Sequence, residues 1–191
     1  MKGLIAIALL TSSLSFAAVT NYKVDSTSSV KWLGKKIGGQ HEGNVKVKGG
    51  TLAFDGKELK TGTVEVDMTS ITNTDLTDAE YNKKIVDHLK SDDFFSTEKN
   101  KTAILNIKSV LPAKGGLVNV VGDLTIKGIT KPVIFDAKVT EGKGIVTATA
   151  DVVFDRTDYD IKYKSLKFFS NIADKAIEDK VTLTVNLTAK K

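Results

Sequence analysis

Gly122-Asp123-Leu124-Thr125-Ile126-Lys127-Gly128-Ile129-Thr130-Lys131-Pro132-Val133-Ile134-Phe135 sets two glycines and a proline between short runs in which every second residue is apolar. The glycines stand six apart, the lysine precedes the second of them, and no helical periodicity follows, so this is not a phosphate-binding loop. It reads as a hairpin. Leu124 and Ile126 share one face of an outgoing strand, and Gly128 accepts the backbone angles of a tight turn. Pro132 then opens a returning strand where no donor is required. Val133 and Phe135 resume the alternation.

The same period of two extends in both directions. It passes through Val45 and Val47, Leu52 and Phe54, Val64, Val66 and Met68 on the amino-terminal side. On the other side it continues through Val152 and Phe154 to Val181, Leu183, Val185 and Leu187, with Leu105, Ile107, Val118 and Val120 just before the hairpin. Alternation rich in valine, isoleucine and threonine is the signature of strands, and roughly eight can be counted. Glycine-bearing turns such as Lys48-Gly49-Gly50, Asp55-Gly56, Ala113-Lys114-Gly115-Gly116 and Glu141-Gly142-Lys143-Gly144 separate them and imply antiparallel neighbours. Two segments depart from the pattern. Thr74 to Lys101 is polar, with Ile85 and Leu89 at helical spacing, which predicts a short helix over Ala79 to Lys90. Arg156 to Lys175 is long, aromatic and aperiodic. The fold class expected is all-β: an eight-stranded antiparallel barrel, closed so that no edge is exposed, with the helix and the long loop at its rim. An interior of this size is filled by side chains or holds one small ligand, and alternation alone does not say which.

Of the 191 residues, the first seventeen read as an export signal. Lys2 gives a positive start, Leu4 to Leu10 is apolar, and Ser15-Phe16-Ala17 offers a cleavage site after Ala17. The expectation is a periplasmic protein whose single domain spans residues 18–191. No later run approaches the roughly 20 apolar residues of a membrane-spanning helix. With no cysteine, disulfide and thiol chemistry are excluded. The formal charge of +5 is spread over a mixed surface without a basic, aromatic-interleaved stripe, so no nucleic-acid partner is expected. Outward positions such as Glu65, Asp67, Asn106, Lys108, Thr125 and Lys127 are polar, which argues against stable membrane insertion as a lipid-embedded barrel.

Several stretches together resemble the YceI-like family of exported, lipocalin-like barrels. They are Tyr22-Lys23-Val24-Asp25, Lys36 to Gly43, Val66-Asp67-Met68, His88-Leu89-Lys90-Ser91-Asp92-Asp93-Phe94-Phe95, Gly122 to Val133 and Asp155-Arg156-Thr157. The resemblance covers essentially the whole chain after the signal. It implies a carrier or reservoir for a long amphiphile, such as a polyisoprenoid, isoprenoid quinone or fatty-acid derivative, held inside the barrel. The ligand would be the bound lipid, with no separate cofactor and no catalysis. Burial would supply the affinity at ~0.8 kcal/mol per methylene removed from water.

On that reading the lining would come from Trp32, Phe54, Met68, Leu105, Ile107, Leu124, Ile126, Phe135, Phe154 and Tyr163, with Leu89 contributed by the helix. Each of these also suits a plain packed core. Phe94-Phe95 and Phe168-Phe169 are adjacent aromatic pairs in polar loops; they would cap the mouth, plug the interior or anchor their own loops. His41 and His88 are the only histidines, and each suits either a head-group contact or a hydrogen-bonded imidazole. Their surroundings lack zinc-site spacing, so no metal is expected. Arg156 lies among Asp151, Asp155, Asp158 and Asp160, where it would orient a polar head or tie the long loop to the rim by ion pairs. No serine-nucleophile motif is present. An enzyme acting on a bound lipid is the alternative, and it requires polar groups converging at the mouth. A monomer and a homodimer fit the sequence equally, and it names no delivery partner.

Overall fold

A computed structural model describes residues 19–191, so the expected export signal lies outside the described residues. The strands are β1 (Val19–Val24), β2 (Ser29–Lys36), β3 (Gly39–Asp55), β4 (Glu58–Asp67) and β5 (Thr102–Pro112). After them come β6 (Val118–Ile126), β7 (Ile129–Gly142), β8 (Ile145–Asp155) and β9 (Ile177–Lys190). All pair antiparallel in the order β1-β3-β2-β9-β8-β7-β6-β5-β4, and a further β3 to β4 ladder closes the sheet. The expected closed barrel is present, with nine strands in eight positions. β3 is 17 residues long, so β2 covers its residues 39–46 and β1 its residues 51–55. Both short strands then meet β9, and together they form one stave of the wall. Lys48-Gly49-Gly50, expected as a turn, lies inside β3. The ladder to β4 shifts register between Val47 and Gly49, and a Cβ on Gly50 would fall 2.0 Å from the Thr63 carbonyl oxygen, so the glycines serve an irregularity in the sheet and not a chain reversal.

The opening hairpin is as the sequence reads. Lys127 and Gly128 both have positive φ, 52° and 73°, the handedness that matches the twist of the flanking strands. Pro132 faces Asp123 in the half of β7 that has no ladder with β8, because that ladder begins at Ala137 and Ala150. A missing N–H there leaves no sheet bond unmade. Gly122 has a steric reason as well. It lies where the β5 register shifts between Ile107 and Ser109, and a Cβ would fall 2.6 Å from the Asn106 carbonyl oxygen.

The two ends of the barrel differ. At the lower end, beneath the β3 to β4 and β7 to β8 turns, Leu52, Phe54, Val120, Val146 and Ala189 are wholly enclosed, and Tyr22 packs edge-on to Phe54 at 5.1 Å. The upper end carries the 127–128 and 37–38 turns, α1 (Ala79–Lys90) and the 156–176 loop. Helix α1 has the bounds predicted for it. Asp78 caps it by accepting from the amides of Glu80 and Tyr81, and it presents Ile85 and Leu89 to the barrel mouth.

Asp25 fastens the β1 to β2 turn to β9. Its carboxyl is lowered from 3.8 to about 2, first by the Lys190 ammonium at 2.6 Å and then by the Thr27 amide. A carboxyl depressed on folding contributes stability that is complete above its unfolded value and is lost as pH falls through the folded value. Acid unfolding followed by circular dichroism should therefore lose part of its steepness between about pH 4 and pH 2 in Asp25→Asn. An unchanged acid limb would show that the pair contributes nothing.

Candidate lipid-binding chamber and its mouth

In the upper half the barrel is open. An apolar chamber of about 160 Å³ is walled by Val30 and Trp32 from β2, Val64 and Val66 from β4, Leu105 from β5, Leu124 and Ile126 from β6, and Phe154 from β8. Val181, Leu183, Val185 and Leu187 supply four successive inward positions of β9. These four, with Val66 and Leu105, are only partly buried although they point inward, because the surface they retain faces the chamber. That contrast with the sealed lower end separates a lined cavity from a packed core.

Met68 and Ile71 close one side. They belong to a strap, residues 68–75, that runs along β3 with the Thr72 amide donating to Asn44 O and the Thr74 amide to Glu42 O, both at 2.9 Å. The Trp32 indole donates to Thr72 O at 3.0 Å, and a Cβ on Gly43 would lie 1.8 Å from that oxygen. Only glycine lets the strap cross here. Gly43→Ala is expected to push the strap outward and free the indole. Trp32 is the sole tryptophan, so its emission should move to the red with a loss of about 1–3 kcal/mol. An unshifted spectrum and melt would refute this account of the strap.

Leu89, Phe94 and Phe95 form the ceiling. Residues 92–95 form a turn, so the adjacent rings do not alternate as they would in a strand, and both face inward. Beyond them lies a second, wetter chamber of about 410 Å³, lined by Lys35, Lys36, Ile37, His41, Ile85, His88, Tyr163, Lys164, Asp174 and Lys175. Trp32, Gly34, Leu89, Phe94 and Ile177 border both, so the two volumes are one path interrupted by the ceiling. His88 joins the elements of the mouth. Its ring meets Phe94 at 4.9 Å and Tyr163 at 4.6 Å, both edge-on, and its Nε2 lies 2.9 Å from Asp93. Helix, ceiling and long loop therefore share one contact.

Arg156 borders the apolar chamber, but all three of its nitrogens are engaged by the protein's own backbone. Its Nε, NH1 and NH2 donate to the carbonyls of Glu178, Ile161 and Ile177 at 3.0, 2.8 and 3.0 Å, and NH2 lies 3.2 Å from Asp179. It ties the loop down, with Asp179 rather than a neighbouring aspartate as its ion-pair partner. Of those nearer carboxylates, Asp155 engages Thr157 and Lys167, and Asp160 engages Lys162. His41 borders the vestibule with Nδ1 2.8 Å from Asp75. Burial would raise the Asp75 carboxyl, but hydrogen bonds from the Glu42 amide, His41 and Asn73 outweigh it and hold the group below its ordinary range.

The expected lining is thus divided by height. Trp32, Met68, Leu89, Phe94, Phe95, Leu105, Leu124, Ile126, Phe154 and Arg156 border the chamber, while His41 and Tyr163 border the vestibule. Phe54, Ile107 and Phe135 border neither: they point inward but pack in the core instead. Phe168 and Phe169 neither plug the interior nor bury themselves, being 49% and 48% exposed. The β9 face, Ile71, Ile161 and the vestibule lysines escape a reading by residue type. The strict alternation from Val181 to Leu187 was the signal available for the first of these.

The chain is similar to known proteins along the whole barrel. The family model of the YceI-like domain matches residues 22–189. A UPF0312 protein of Photorhabdus laumondii is 37% identical over 149 residues, covering 75% of this chain and 73% of that protein. Protein YceI of Escherichia coli O157:H7 is 33% identical over 133 residues, 66% of this chain and 65% of that one. Among solved structures, BcnA of Burkholderia cenocepacia superposes with a TM-score of 0.65 at 23% identity, covering 87% of this chain and 99% of its own. A polyisoprenoid binding domain from Saccharophagus degradans superposes at 0.64 and 16% identity, covering 88% and 97%. At these identities the structural likeness carries the fold, and the sequence matches carry the kinship. The chain belongs to the YceI-like family.

Proposed function

We propose that the protein is a periplasmic carrier or reservoir for a long amphiphile of the polyisoprenoid, isoprenoid quinone or fatty-acid class, acting by binding and without catalysis. The observation that carries this reading is an almost wholly apolar chamber that shares its ceiling residues with a polar vestibule above it. The arrangement sorts a hydrocarbon tail inward and a polar head outward. The polyisoprenoid binding domain of S. degradans shares the fold and supports the ligand class. A chamber of about 160 Å³ is small, since an engineered cavity of about 150 Å³ is filled by benzene. A long tail would therefore continue past Leu89, Phe94 and Phe95 into the vestibule, and the ceiling would part around it.

Mass spectrometry of an organic extract, beside a native spectrum of protein purified from its host's periplasm without detergent, tests this. A stoichiometric long-chain species absent from the mock extract is expected. Empty protein, which also fails to take up added prenol, quinone or fatty amide, would overturn it.

A further inference from the structure

The upper rim carries an apolar patch that neither the chamber nor the fold uses. Ten large apolar side chains are prominently exposed among the described residues; of these, Ile37 lines the vestibule, and Leu166, Phe168 and Phe169 belong to the loop that gives the vestibule Tyr163, Lys164, Asp174 and Lys175. Hydrogen bonds hold them in one neighbourhood. The Ile37 amide donates to Ala176 O at 3.0 Å, the Ile177 amide to Lys164 O at 2.9 Å, and the amides of Phe168 and Phe169 both to Ser165 O, at 3.1 and 3.0 Å. Ser165 is fully buried, and Lys167 is pinned to Asp155 at 2.5 Å. The loop is thus anchored in a conformation that turns its aromatics toward water, and clustered exposure of this kind marks an interaction surface.

The charge around the patch indicates its partner. Residues 35–37 and 162–175 hold six lysines against the single Asp174. Lys162 is spent on Asp160 and also lies 5.3 Å over the Phe168 ring, and Lys167 is paired as above. Lys35, Lys36, Lys164 and Lys175 make no ion pair among the described residues. Aromatic and aliphatic wedges ringed by unpaired lysines match the requirements of an anionic bilayer surface, where the apolar groups enter the headgroup boundary and the ammonium groups meet phosphates. Two copies meeting through this rim would instead bring like-charged lysines together. We infer that the protein docks peripherally on anionic lipid bilayers through Ile37, Leu166, Phe168 and Phe169. That places the vestibule against the headgroups, so that a hydrocarbon tail passes between bilayer and barrel without crossing water.

Vesicle flotation tests the docking without reference to any cargo. The protein should float with vesicles of mixed phosphatidylglycerol and phosphatidylcholine, not with phosphatidylcholine alone, and raised salt should release it. Phe168→Ser combined with Phe169→Ser should weaken the partition by ~tenfold or more, and Lys164→Gln with Lys175→Gln should weaken it and flatten its salt dependence. Ile134→Ser, on the outer wall, should float as the parent does. Melting curves confirm that each variant is folded, which is expected because the substituted side chains are exposed. No flotation by the parent protein, or unchanged flotation by the phenylalanine variant, would overturn the inference. So would a concentration-dependent dimer abolished by that variant, which would give the patch to a second copy. Extracted cargo is read separately, so docking and carrying stand or fall independently.

Discussion

Replacing Arg156 with methionine is expected to lower folding stability by about 3–5 kcal/mol, read as a fall in the urea midpoint at unchanged slope. The guanidinium is 2% exposed and serves three carbonyls and one carboxylate. Methionine fills a similar volume but returns none of those bonds, so three carbonyls would be left without donors and Asp179 would keep only the more distant Lys167, at 3.8 Å. The damage should spread along the loop, because Tyr159 and Ile161, both fully enclosed, are placed by the same anchor. Arg156→Lys should recover little, since one compact ammonium does not reproduce a planar fork addressing three directions. A methionine variant that melts with the parent would show that the loop is held by its apolar contacts instead.

The second large effect is on ligand retention. Val185 lines the chamber and pairs across the sheet with Val30 and Ala150, small neighbours that leave room above it. Val185→Trp should fill the chamber and reduce the extractable long-chain species at least ~tenfold, at a stability change within the 1–3 kcal/mol typical of overpacking. Leu124→Asp should also empty the chamber, but by a different route. Leu124 is 7% exposed, and an unpaired carboxylate there costs several kcal/mol, so retention and melting temperature should fall together. The pair of variants separates occupancy from stability. A folded Val185→Trp protein that keeps its full complement of ligand would place the binding site outside this chamber.

Much of the fold is legible because its determinants are local. Period two from Val118 to Ile126 and again from Val133, with Lys127-Gly128 between, specifies a hairpin from its own backbone preferences. Ile85 and Leu89, one turn apart in a polar segment, specify the helix in the same way, and the structure adds Asp78 as its cap. Alternation also names which side chains point inward, and nearly all the expected lining does so.

Height along the barrel is not local. Phe54, Ile107 and Phe135 obey the same alternation as Leu124 and Leu105, yet they lie in the packed core. Whether an inward side chain meets another or meets a void depends on the summed volumes delivered by eight staves and a strap, and register sets that sum. The partner of Arg156 lies 23 residues away, on the start of β9, where the loop's return brings it. Phe94 and Phe95 face the same way only because their segment folds as a turn, and His88 meets Tyr163 only because two loops converge over one mouth.

The sequence by itself determined a closed antiparallel barrel with a short helix at its rim, since hydrophobic period and turn chemistry are written residue by residue. Tertiary structure alone decided that the lower half is solid and the upper half hollow, that Arg156 is an anchor, and that Phe168 and Phe169 face outward. Each of these depends on which distant strands and loops share a neighbourhood, and no short stretch of chain encodes that.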